Sequence, residues 1–107
     1  MIEFQVNNFF FNKIKDEKLK EDFREIKSYW IKKLIKNEYQ SKDINNLYLL
    51  YINNVSIFKK IKKVKFKNGY KKEAPFFICE VENIRFTSGK ELTCMGYIIA
   101  FAIKIKY

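Results

Sequence analysis

The sequence predicts an α+β domain, a twisted sheet or small barrel with helices packed outside it. Three observations predict it. Tyr97, Ile99, Phe101, Ile103 and Ile105 alternate with Ile98, Ala100, Ala102, Lys104 and Lys106, the period of a strand. Shorter alternations recur near the N-terminus, at Val64–Lys67 and at Phe77–Glu82. One stripe, Trp30, Ile31, Leu34 and Ile35, has helical spacing instead. A length of 107 residues suits a single domain, 1–107. A hydrophobic content of 48% is too high for a disordered chain.

Each element follows in chain order. Ile2, Phe4 and Val6 alternate with Glu3 and Gln5, a half-buried strand that Asn7 and Asn8 break. Phe10 or Phe11 with Ile14 shares a helical face, which predicts a short helix. Leu19 to Glu25 is ambiguous; as a strand, Leu19, Glu21, Phe23 and Glu25 share a face. Ser28 is a candidate N-cap for a helix over Ser28–Asn37 that packs through Trp30 and Leu34. The run LYLLYI between Asn45 and Asn54 reads equally as a strand or a buried helical turn. Val64 and Phe66 alternate with Lys65 and Lys67 up to a turn at Asn68-Gly69. After Pro75, Phe77, Cys79 and Val81 alternate with Ile78, Glu80 and Glu82. The last strand carries small residues on one face, where another element packs closely.

The net charge of +10 favours anionic partners, nucleic acid above all. Lys, Asn, Ile, Phe and Tyr are over-used together, as AT-rich coding would impose, so the placement of charge is more informative than its sum. There is no histidine, which removes the usual general base and the commonest metal ligand. Gly69, Gly89 and Gly96 are scattered and form no phosphate loop. Cys79 and Cys94 are too few and too far apart for a zinc site. We expect neither metal nor cofactor. The opening residues do not resemble a signal peptide, and the apolar stretch Met95–Ile103 is too short to span a bilayer. These features predict a cytoplasmic protein with free thiols and no membrane partner.

The order of motifs resembles the ASCH superfamily, and more narrowly the small ASCH-like proteins of phages and mobile elements. The residues that carry the resemblance are Arg24, Glu25, Lys27, Tyr29 and Trp30; then Phe66, Asn68, Gly69, Tyr70 and Pro75; then Glu80; then Tyr97 and Ile99. It covers about Phe10 to Ile105 and implies a small PUA-like β-barrel with one to three helices packed outside it. It also implies a cleft suited to RNA or a nucleobase. Family members include RNA-binding modules, a ribonuclease-type activity and an amidohydrolase acting on N4-acetylcytidine. The chain departs from the pattern with an insertion at about 40–58, and with Phe101-Ala102 where the family often has Leu-Gly. Leu19 and Asp22 stand where the amidohydrolase-like members carry Lys and Thr, which weakens that assignment.

The candidate site residues fall into two groups. Arg24 beside Glu25 is either a planar fork for phosphate or a base edge, or half of a structural ion pair with Glu25 or Asp22. Trp30 sits on the apolar stripe and is expected in the core, whereas Tyr29 is freer to face a ligand. Lys59, Lys60, Lys62, Lys63, Lys65, Lys67, Lys71 and Lys72 form the densest charge run, interleaved with Ile61, Val64 and Phe66. Lys65 and Lys67 share a strand face, and the turn returns Lys71 and Lys72 nearby. That patch reads as a phosphate-binding surface or as protection of a sheet edge. Tyr70 could stack on a base or cap the barrel. Glu80 and Glu82 share a face, as paired acids or as a solvated surface.

Three functions follow. The first is a module for RNA or single-stranded nucleic acid, lined by Arg24, Lys27, Tyr29, Lys65, Lys67, Asn68, Tyr70, Lys71 and Lys72. The second is an enzyme on RNA or a nucleobase, with Lys20 or Lys27 and Asp22 or Glu25 as acid and base. The third is a phage or mobile-element inhibitor of a host protein or ribonucleoprotein defence complex, docking through Leu47, Tyr48, Leu50 and Tyr51.

Overall fold

A computed structural model describes residues 1–88 and 99–107. The strand order is β1-β3-β4-β5-β2 in a five-stranded sheet: β1 Glu3–Val6, β2 Glu21–Glu25, β3 Lys63–Asn68, β4 Phe76–Ser88 and β5 Ile99–Lys106. Three α-helices are described: α1 Asn8–Lys15, α2 Ser28–Leu34 and α3 Ile44–Ile52. The sheet is mixed, because β1 runs parallel to β3 and β3 antiparallel to β4. The α+β class is as the alternation predicted. Cys94, Tyr97, Ile98 and the first four residues of the stretch Met95–Ile103 lie outside the described residues. The chain forms two compact units, Met1–Asp22 with Ile61–Asn83 and Ile103–Tyr107, and Phe23–Lys60 with Ile84–Ala102.

In the first unit, alternation puts Phe4, Val64 and Phe66 inward, all fully buried. The Phe4 and Phe66 rings stack at 5.5 Å, Phe66 and Phe77 lie 5.8 Å apart, and Phe77 and Phe11 4.9 Å. Aromatic pairs at these distances add to the burial energy. Asn7 ends β1 by capping α1: its side-chain oxygen accepts from the Phe10 N–H at 2.9 Å. Phe11 and Ile14 are the buried pair on α1, while Phe10 faces solvent. The Tyr107 hydroxyl donates to the Ile14 carbonyl at 3.0 Å and to the Leu19 carbonyl, tying the C-terminus to the end of α1.

In the second unit α2 buries Trp30 and Leu34 of the expected stripe, while Ile35, its fourth member, lies beyond the helix. Ser28 is not the N-cap. Lys27 holds the extended capping conformation without a side-chain bond, and Ser28 is already helical. The helix also stops before Asn37. Leu34 and Ile35 are both fully buried, and successive helical residues point about 100° apart. Ile35 instead turns extended and bridges to Phe58, with Lys36 N–H donating to Ile57 O and Lys59 N–H to Leu34 O, each at 2.8 Å. Gln40 Nε2 donates to the freed carbonyls of Ile35 at 2.8 Å and Lys32 at 3.2 Å.

The LYLLYI run is helical. Asp43 caps it by accepting from the Asn46 N–H at 2.8 Å. Leu47 is fully buried, and Tyr48 and Tyr51 meet the Phe86 ring edge-on at 6.0 and 5.2 Å. Phe86 in turn stacks on Phe101 at 5.3 Å. Along β5, Ala100, Phe101, Ala102 and Ile103 are all fully buried. Both faces of that strand are covered, as its alanines predicted.

Two groups make this fold sensitive to alkali. Burial pushes the Cys79 thiol up to about 11 and, chiefly by desolvation, the Tyr107 hydroxyl up to about 12. Both are neutral when folded, so their stability contribution is complete below the ordinary values of 9.0 and 10.0. It is lost as pH rises through the shifted values. Thermal melts from pH 8 to 12 should show a progressive fall above pH ~9. Cys79→Ala with Tyr107→Phe should flatten that fall; an equally steep profile would place the alkaline sensitivity elsewhere.

Candidate nucleic-acid interface

The outward face of β3 is built by its period of two. Lys63, Lys65 and Lys67 alternate with the buried Val64 and Phe66. The register sets Lys63 opposite Glu80, Lys65 between Glu3 and Ile78, and Lys67 between Gln5 and Phe76. Directly opposed residues share a face. Lysines therefore stand beside two exposed apolar side chains, Phe76 at 55% and Ile78 at 50%. Motif reasoning missed both. The available signal was the Asn68-Gly69 turn, which sets the register and carries Phe76 across from Lys67.

The charges on this face are not equivalent. Lys65 Nζ lies 3.6 Å from Glu3 and 4.3 Å from the centre of the Phe76 ring. It is engaged on both sides, and its ammonium orients the ring. Glu82 pairs with Lys104 at 3.2 Å, and Glu80 faces Lys63 in the ladder, so these acids serve a solvated face. Lys67, Lys71 and Lys72 have no carboxylate within ion-pair distance among the described residues.

Edge protection does not explain these lysines. β3 lies between β1 and β4, inside the sheet order. The parallel pairing of β1, which includes Lys65 N–H to Ile2 O at 2.9 Å, covers the side that sequence alone leaves open.

The hairpin end that follows is pinned at its base. Asn68 N–H donates to Pro75 O at 2.9 Å, and Gly69 N–H to Val6 O at 3.0 Å. Gly69 has φ +98°, a conformation that favours glycine. The Asn68 amide donates to Asn8 Oδ1 at 2.9 Å. The side chain of Tyr70 is held away from this scaffold at 87% exposure, with Lys71 and Lys72 also exposed beside it.

Arg24, Glu25, Lys27 and Tyr29 belong to the second unit and form a separate group. The Arg24 guanidinium stacks on the Trp30 indole at 5.1 Å. Trp30 is only 6% exposed, so no base can reach its face. Tyr29 meets Trp30 edge-on at 4.9 Å and is 51% exposed, with Lys33 Nζ 5.6 Å from its ring centre. Glu25 and Lys27 pair at 3.9 Å in the open, where solvent screens the interaction. Lys20 is exposed, and Asp22 is the buried charged residue among those described.

The described concavities lie elsewhere. One of 310 Å³ is lined by Asn8, Phe9, Lys13 and Lys18 in the first unit, and one of 560 Å³ by Tyr51, Ser56, Phe58 and Ile84 in the second. The site is a surface, suited to an extended ligand. Among the described residues no group of acidic or thiol side chains could hold a metal ion, and no helix is long and apolar enough to cross a membrane. The chain matches no family model, no curated protein and no solved structure.

The stacked Arg24 should register in stability. Arg24→Met keeps most of the stem and removes the cation. It should cost at least ~1 kcal/mol in a denaturant melt and shift the emission of Trp30, the single tryptophan. Unchanged stability and emission would show that the stacking contributes nothing.

Proposed function

We propose that this chain is a binding module for single-stranded nucleic acid, RNA foremost, of the PUA-like ASCH type and acting in the cytoplasm. One observation carries the reading. Lys67, Lys71 and Lys72, with no acidic partner among the described residues, share a hairpin end with two exposed rings, Tyr70 and Phe76. Ammonium groups neutralise phosphates, and exposed rings stack on bases, at ~1–3 kcal/mol per base. A single strand offers both at once, whereas a duplex hides its base faces. Lysine contacts to phosphate carry no sequence information, so sequence preference should be weak.

Lys65 supports the site by holding Phe76, and Asn68 by anchoring the loop. In this reading Arg24, Lys27 and Tyr29 form a second contact group, carried over from the family resemblance. The sheet of five strands with three helices suits the PUA-like assignment. Binding requires no acid–base pair, so Lys20, Asp22, Glu25 and Lys27 need no catalytic role.

Titration with short RNA, single-stranded DNA and duplex DNA at several salt concentrations tests the reading. Single strands should bind more tightly than duplex. The log–log salt slope should flatten by about 0.7 for each of Lys67, Lys71 and Lys72 changed to Gln. Tyr70→Ala and Phe76→Ala should each lose roughly five-fold or more in affinity at an unchanged slope. Absence of binding at low salt, or a slope indifferent to all three lysines, would overturn it.

A further inference from the structure

The segment that interrupts the charge pattern carries a different surface. From Asp43 to Phe58 there is no lysine or arginine, although the chain has 22. Helix α3 lies inside this segment. It buries Leu47 and turns Tyr51 against Phe58 and Phe86. Of the four docking residues expected from sequence, Leu47 is thus core and Tyr51 is committed to the aromatic cluster. The exposed apolar side chains are Ile44 at 40%, Tyr48 at 40%, Leu49 at 52% and Ile52 at 51%.

Ile44, Tyr48 and Ile52 recur every fourth residue, which makes them one ridge of the helix surface. The ridge reads the same in both directions, Ile-Tyr-Ile about a central tyrosine. A two-fold axis through Tyr48 sets Ile44 of one copy against Ile52 of the other, twice, and Tyr48 against itself. That is the self-complementarity a symmetric dimer requires. The charge map selects the same occupant. Two copies at +10 each repel wherever lysines meet, and this helix is a surface on which they can touch without placing cation against cation.

We propose that α3 is a self-association surface, pairing two copies of this chain antiparallel through Ile44, Tyr48 and Ile52. These three half-exposed side chains, with Leu49 beside the ridge, cover on the order of a few hundred Å², short of the ~800 Å² per partner of a stable interface. The dimer is therefore weak and concentration-dependent. Salt screens the mutual repulsion and strengthens it, opposite in sign to the effect of salt on nucleic-acid binding.

Sedimentation equilibrium of the whole chain, over a wide concentration range at low and high salt, tests this without any variant. The mass should climb from one chain toward two, and at lower concentration when salt is high. Ile52→Glu and Ile44→Lys, each made alone, should weaken the dimer at least ten-fold. Combined, they should restore it, because each new acid meets a new base across the axis. Melts of all three variants check that the fold stands. A wild type that stays monomeric throughout overturns the proposal and leaves the face to a different protein. A dimer indifferent to Ile52→Glu, or one the double variant fails to restore, overturns it as well.

Discussion

The first unit depends on the alternation of β3. Its period of two sends Val64 and Phe66 into the aromatic stack and Lys63, Lys65 and Lys67 out of it. A slip of one residue would exchange the two sets, burying three ammonium groups and exposing a phenylalanine. Because a buried charge is so costly, the register is held by the same residues that make the outer face basic. Core and candidate site are two sides of one pattern.

The second unit is organised by rings. Phe86 meets Tyr48, Tyr51, Phe58 and Phe101. This cluster holds α3 by one side and leaves its other side exposed. The bridge at Ile35 belongs to the same logic, since leaving the helix allows both Leu34 and Ile35 to be buried. Backbone regularity yields where consecutive apolar side chains need different directions.

Electrostatics divides the lysines by neighbour. Lys65 and Lys104 have carboxylates at 3.6 and 3.2 Å, and exposed pairs of this kind add little stability. They offset part of the charge on the sheet face, whereas Lys67, Lys71 and Lys72 have no carboxylate within ion-pair distance among the described residues. A formal charge of +10 says nothing of that difference. Arg24 adds an aromatic contact to this picture, since its guanidinium stacks on the Trp30 indole.

Local pattern alone determined the strands at β1, β3 and β5, the start of β4, the apolar stripe of α2 and the inward positions of Trp30 and Leu34. Each is a matter of period, and period is a property of neighbours in sequence. Lys67, Tyr70, Lys71 and Lys72 were legible as a group for the same reason, since one turn joins them. The tertiary structure decided the rest. LYLLYI satisfies strand and helix equally until Phe86 and Phe101 supply the rings it packs on. Ser28 could cap only if the helix began one residue later. Phe76 and Ile78 joined the site because cross-strand register brought them to the lysines. The placement of β3 inside the sheet required β1, from the far end of the sequence, to pair with it. Contacts between distant segments fix these outcomes, and a local pattern holds no record of which segment will arrive.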